Sequence, residues 1–141
     1  MKTNELMKDD WVQHTTESGG TIAGKVIAFE GDVVRIDVRV EKGTKTVYPE
    51  FTGVDDDFEG VELTPEIMEK NGFKRTGQYW DYYFERDKVC KVFSIALDDE
   101  KDDDGKHMWN AYAFGVLCWV KYVHELQHIF RICGIRNEVL I

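Results

Sequence analysis

Two histidines four residues apart, with a glutamate directly after the first, make His124-Glu125-Leu126-Gln127-His128 the residue set in this chain best suited to chemistry. On a helix this spacing puts both imidazoles on one face, one turn apart. There they can hold a zinc ion while the intervening carboxylate takes a proton from metal-bound water. In that reading His124 and His128 are metal ligands, Glu125 is the general base, zinc is the cofactor and the chain is a zinc-dependent hydrolase. Catalytic zinc requires a third protein ligand, and after His128 only Glu138 qualifies by residue type. Arg131 and Gly134 stand where the extended zinc-peptidase pattern places Gly and a third His, so the third ligand would have to be Glu138 or a residue from earlier in the chain, such as His14 or His107.

The element that carries the motif weighs against the hydrolase. Val116 to Cys133 reads as one long helix closed by Gly134. At about 100° per residue, Trp119, Val123, Leu126, Phe130 and Cys133 gather into an apolar stripe, and His124 and His128 fall on the opposite side. They share that polar face with Lys121 and Glu125, which have the i,i+4 spacing of a surface charge pair. The polar face of an ordinary amphipathic helix explains these residues without chemistry. On that reading no residue is assigned a catalytic, cofactor-binding or metal role.

Other constellations are weaker. In the acidic segment 98–106, Glu100, Asp102, Asp104 and Gly105 match the early positions of a calcium-binding loop, but Ala111 occupies the place of the bidentate carboxylate. A solvated loop is the simpler account, as it is for Asp55-Asp56-Asp57. Tyr79, Trp80, Tyr82, Tyr83, Trp109 and Tyr112 predict an aromatic-rich sheet. Base-stacking platforms are flanked by Lys and Arg, whereas the neighbours here are Asp81 and Glu85, which points to a protein-binding face.

Composition narrows the function classes further. The chain has 141 residues, 43% of them hydrophobic, enough for a real core. A net charge of -9, from 27 acidic and 18 basic residues, disfavours direct binding to nucleic acid and to anionic membrane surfaces. No apolar run approaches the roughly 20 residues that span a bilayer, and the opening MKTNELMKDD lacks the apolar centre of a signal peptide, so a cytoplasmic location is expected. Cys90, Cys118 and Cys133, an odd number without paired spacing, are expected to be buried free thiols.

The expected fold class is α+β, with an N-terminal SH3-like small β-barrel followed by an antiparallel sheet packed by a short helix and the long C-terminal helix. Residues 1–53 form the barrel unit, with β segments at Trp11–Thr16, Thr21–Glu30, Asp32–Val40 and Thr44–Phe51 separated by Gly-containing turns. Val34, Ile36, Val38 and Val40 alternate with Arg35, Asp37 and Arg39, the period of a strand buried on one face. Residues 54–62 form an acidic linker, and 63–141 the α+β unit. Thr64 as N-cap, Pro65 at the first helical position and Gly72 as left-handed cap bound a short helix with Ile67 and Met68 inward. Gln78–Arg86 and Lys88–Leu97 predict a hairpin turning near Asp87, with Trp80, Tyr82 and Phe84 toward the core and Tyr79, Asp81, Tyr83 and Glu85 on the other face. His107–Phe114 and Glu138–Ile141 are read as further strands.

The segments LTPEIMEKNGF (Leu63–Phe73) and VKYVHELQHIFRICGI (Val120–Ile135), with the opening phrase Lys8-Asp9-Asp10-Trp11-Val12, resemble a family of small bacterial proteins of uncharacterised activity encoded in prophages and mobile elements. The resemblance spans most of the chain. It implies the same order of β-rich start, short helix, aromatic strands and terminal helix. It also implies that Gln can stand at the place of Glu125, so that the zinc motif is incidental. The resulting expectation is a non-enzymatic protein-interaction module, an accessory protein of a phage or mobile element, whose partner is another protein. An acidic decoy or inhibitor of a host nucleic-acid-handling complex, displaying Asp55–Asp57 and Asp98–Asp104, is the further alternative.

Overall fold

The computed structural model describes residues 6–15, 17, 19–31, 33–38, 40–42, 45–47, 50–54, 58–101, 107–113 and 116–141. Asp55–Asp57 and Asp102–Asp104 lie outside them. The chain is α+β and divides into two compact units, Met1–Val61 and Glu62–Ile141.

The first unit contains β1 (Trp11–Thr15), β2 (Thr21–Glu30), β3 (Val33–Val38), β4 (Val40–Lys42), β5 (Lys45–Val47), β6 (Glu50–Val54) and β7 (Glu59–Gly60). Five of them form an antiparallel sheet in the order β6-β3-β2-β1-β7, while β4 and β5 pair separately. No closed barrel is found among the described residues, in which β6 and β7 stand at the ends of the strand order. Two residues read as acidic linker, Glu59 and Gly60, instead pair with Gln13 and Val12. The period-two pattern buries Val34 and Ile36, which join Leu6, Val12, Val26 and Phe58 in a small core. Asp10 is wholly buried at the entry to β1, where its Oδ2 accepts a 2.7 Å hydrogen bond from the Met7 amide. That bond holds the turn Met7–Asp10, whose residue Asp9 adopts a positive φ of 72°.

In the second unit α1 (Pro65–Lys70) follows its local signals closely. Thr64 is extended, and its hydroxyl accepts from the Ile67 amide at 3.3 Å. Gly72, at φ 87°, then closes the helix: its amide reaches Glu69 and the Phe73 amide reaches Met68. This pair of bonds needs a left-handed residue at Gly72 and brings two buried side chains, Met68 and Phe73, together.

The second sheet has the order β12-β11-β10-β9-β8, built from β8 (Lys74–Thr76), β9 (Tyr79–Arg86), β10 (Val89–Lys101), β11 (His107–Ala113) and β12 (Val116–Val120). Asp87 and Lys88, with φ of 54° and 64°, make the two-residue turn between β9 and β10, the positive-φ geometry that matches strand twist. Backbone pairing carries β10 past Leu97 to Lys101, through a register shift, so that 98–101 belong to the strand and not to the predicted acidic loop.

The largest departure concerns the long C-terminal helix. Val116–Val120 is strand β12, paired with β11, and only Val123–Cys133 is helical, as α2. The run Val-Leu-Cys-Trp-Val is rich in β-branched and aromatic side chains, and an available edge of β11 lets it pair as a strand. Phe130 of α2 packs on the sheet, with ring centroids 5.0 Å from Tyr82, 6.2 Å from Phe93 and 6.1 Å from Phe73. Trp109 donates its indole N–H to the Leu63 carbonyl at 3.1 Å, fastening the segment before α1 to β11.

Glu138–Ile141, read as an edge strand, pairs with no strand among the described residues. Its ladder is replaced by one side chain: Asn71 donates Nδ2 to the Leu140 carbonyl and accepts from the Leu140 amide at Oδ1, both at 2.7 Å. Lys70 adds a bond to the Ile141 carbonyl, Asn137 one to the Tyr82 hydroxyl, and Val139 is buried. The thiols also depart from expectation. None of the three is in a disulfide; Cys133 is buried, but Cys90 and Cys118 are exposed, because Cys90 faces outward near the hairpin end and Cys118 sits on edge strand β12.

Candidate functional site

The motif 124–128 occupies the first two turns of α2. Its two imidazoles do come together, edge to face with ring centroids 5.7 Å apart. The polar, solvated placement is corrected for His124: it is only 5% exposed and stacks on Tyr122 at 5.6 Å and 12°, while His128 is half-buried. The buried arc of the helix therefore runs from Cys133 through Leu126, Phe130, Val123 and Gln127 round to His124. Trp119 is not part of it. It lies on β12 and is 63% exposed.

Glu125 holds the helix start. Its Oε1 accepts from the backbone amides of both Lys121 and Tyr122 at 3.0 Å, satisfying the donor of the N-cap residue and that of the residue before it. Lys121 precedes the helix, and its ammonium lies 5.2 Å from the centre of the Tyr122 ring. Among the described residues no group of three or more His, Cys, Asp or Glu is arranged to hold a metal. His14 belongs to β1 of the first unit and His107 opens β11.

The charge of the same carboxylate acts on Cys118. Partial desolvation, and then the negative charge of Glu125, raise the Cys118 thiol above its ordinary pKa although the residue is exposed. Both effects penalise the thiolate. Glu125→Gln keeps an oxygen for the two amides but removes the charge, so Cys118 should react faster with iodoacetamide at about pH 8, with stability changed by less than about 0.5 kcal/mol. Glu125→Ala should cost about 1 kcal/mol in urea unfolding, because the cap is lost. Peptide mapping of the alkylated thiol together with urea titration checks both, and an unchanged Cys118 rate in Glu125→Gln would remove the electrostatic link.

A second arrangement is built by the sheet. Alternation along β9, β10 and β11 sends Tyr82, Phe93, Ile95, Trp109 and Ala111 into the core. The opposite face carries Tyr79, Tyr83, Val92, Tyr112 and Trp119, all exposed. Register makes this one patch. Tyr112 and Asp81 flank Ser94 across three strands, Tyr83 sits beside Val92, and Asn110 lies between Ala96 and Trp119. Tyr79 and Tyr112 meet edge to face at 6.3 Å. Of the predicted aromatic sheet, Tyr82 and Trp109 are thus core, Trp80 is half-buried, and Tyr79, Tyr83 and Tyr112 belong to the outer face. Trp119 went unrecognised there because its spacing also fits the helix stripe. The signal that could have moved it is the strand-like run around it, between Gly115 and the helix cap.

Comparison with protein-family models, curated proteins and solved structures finds no significant match.

Proposed function

We propose that this chain is a non-enzymatic protein-interaction module that binds another protein through the outer face of its second sheet. The observation that carries the reading is the exposure of Tyr79, Tyr83, Val92, Tyr112 and Trp119 together, on a sheet whose other face is core. Large aromatic side chains supply most of the energy of protein interfaces, and a contiguous exposed set rimmed by polar residues marks such contacts. Asp81 and Glu85 on this face, with a net charge of -9, favour a protein over nucleic acid. The engagement of Glu125 in the helix cap favours the module over a hydrolase, since a general base needs its carboxylate free for water.

In the first unit the order β6-β3-β2-β1-β7, with the last strand returning beside the first, supports the SH3-like reading of this sheet. The sequence resemblance supports an accessory role for a phage or mobile element in the cytoplasm. No helix among the described residues is long and apolar enough to cross a membrane.

Trp119→Ala tests the reading. The side chain is mostly in solvent, so the urea midpoint should stay close to wild type, while affinity for a partner cross-linked in native host lysate should fall about thirtyfold, the loss of an interface anchor. Equal partner recovery by wild type and Trp119→Ala would refute it, as would a zinc-dependent hydrolysis abolished by Glu125→Gln.

A further inference from the structure

Asp81 occupies an unusual place for a carboxylate. It lies in the middle of β9 on the outer face of the sheet, with Tyr79 and Tyr83 two residues to either side and therefore on the same face. Ser94, directly opposite on β10, donates its hydroxyl to Asp81 Oδ1 at 2.6 Å, which fixes the orientation of the carboxylate. Tyr112 stands on the far side of Ser94 and meets Tyr79 edge to face at 6.3 Å. The result is one oriented, half-buried anion with three exposed tyrosine rings around it. Lys74 is opposite Asp81 on β8, but it is exposed, and no ion pair joins the two among the described residues.

Resting on the reading of this face as a docking surface, we propose that Asp81 and its three tyrosines receive an arginine side chain of the partner protein. The charge is complementary, since the anion lies in a protein of net charge -9. The rings favour a guanidinium in particular, because a planar, weakly hydrated cation can lie against tyrosine faces while donating to a carboxylate, and a compact ammonium does so less well. Ser94 engages one carboxylate oxygen and leaves the second to the ligand.

The test is an amide-resolved NMR titration of the full chain with acetyl-Gly-Arg-Gly-amide, and in parallel with the lysine and the neutral citrulline versions. The arginine peptide should shift Tyr79, Asp81, Tyr83, Ser94 and Tyr112, and the citrulline peptide should leave them unmoved. Asp81→Asn, which keeps an oxygen for Ser94, should weaken binding about tenfold. Tyr83→Ala should weaken it about threefold and Tyr83→Phe, which keeps the ring, much less. Lys74→Gln should tighten it by removing the competing cation. Glu85→Gln makes the same charge change as Asp81→Asn and should have little effect. Equal binding of the citrulline or lysine peptide, or equal losses in Asp81→Asn and Glu85→Gln, overturns the proposal. If these peptides fail while Trp119→Ala still weakens partner capture, the arginine site falls and the interaction module stands. If the arginine peptide behaves as expected while Trp119→Ala leaves capture intact, the failure lies in the wider docking surface.

Discussion

Phe130→Ala is expected to destabilise the second unit by about 3–5 kcal/mol, the range for truncating a well-packed core aromatic. The ring is 3% exposed and stands at the junction of three elements. It stacks on Phe73 after α1 at 18° and meets Tyr82 of β9 and Phe93 of β10. Removing it leaves a cavity that none of the other three rings can fill, because each is anchored elsewhere: Tyr82 by Asn137, Phe73 by the α1 cap, Phe93 by its fully buried strand position. Against a typical domain stability of about 5–15 kcal/mol this is a large fraction. Urea unfolding followed by near-ultraviolet circular dichroism reads it, and a loss below about 1 kcal/mol would mean that the cluster repacks and does not hold the unit together.

Gly24→Ala should have the largest effect in the first unit. A Cβ at Gly24 would lie 2.4 Å from the Asp37 carbonyl oxygen and 3.0 Å from its carbon. Those atoms are backbone, in the β2–β3 ladder where Gly24 pairs with Val38, so they cannot move aside as a side chain end would. The strands must separate, at a cost of about 3 kcal/mol, near the upper end for inserting a methyl group into a packed structure. The core of this unit is small, built from residues such as Val12, Val26, Val34 and Ile36, and a unit of this size has little stability in reserve. Hydrogen exchange at the Val26, Val34 and Ile36 amides should accelerate by about two orders of magnitude. Unchanged protection at these amides would show that the ladder absorbs the methyl group.

Both predictions concern parts of the fold that differ in how openly the sequence declares them. The boundaries of α1 are legible because Thr64, Pro65 and Gly72 act on their own neighbours, through one hydroxyl bond and one left-handed turn. The strand alternation of Val34/Ile36 and the inward placement of Tyr82 are legible for a similar reason: a half-buried strand repeats every two residues whatever covers it. The start of α2 is not local in this sense. Trp119 and Val123 fit one helical stripe by spacing, and only the open edge of β11 decides that Trp119 is strand and Val123 helix. Burial of His124 depends in the same way on contacts from outside the helix, of which the Tyr122 ring is one, so periodicity alone placed it in solvent. The candidate docking face combines the two cases. Its tyrosines are readable from β9, but the row joining Asp81, Ser94 and Tyr112 follows from cross-strand register, which no single segment encodes.

The Asn71 clamp has a consequence for how uniquely the final segment is aligned. A strand added to a sheet can slide by two residues, keep its inward set and recover most of its bonds. A single carboxamide offers no such freedom, because it presents one donor and one acceptor to one peptide group, that of Leu140. A slide by two in either direction would put Asn137 or Ile141 where Val139 is now buried, and would also part Asn137 from the Tyr82 hydroxyl. Asn71 thus acts as a registration pin, trading the strength of a ladder for a single permitted alignment of the last residues.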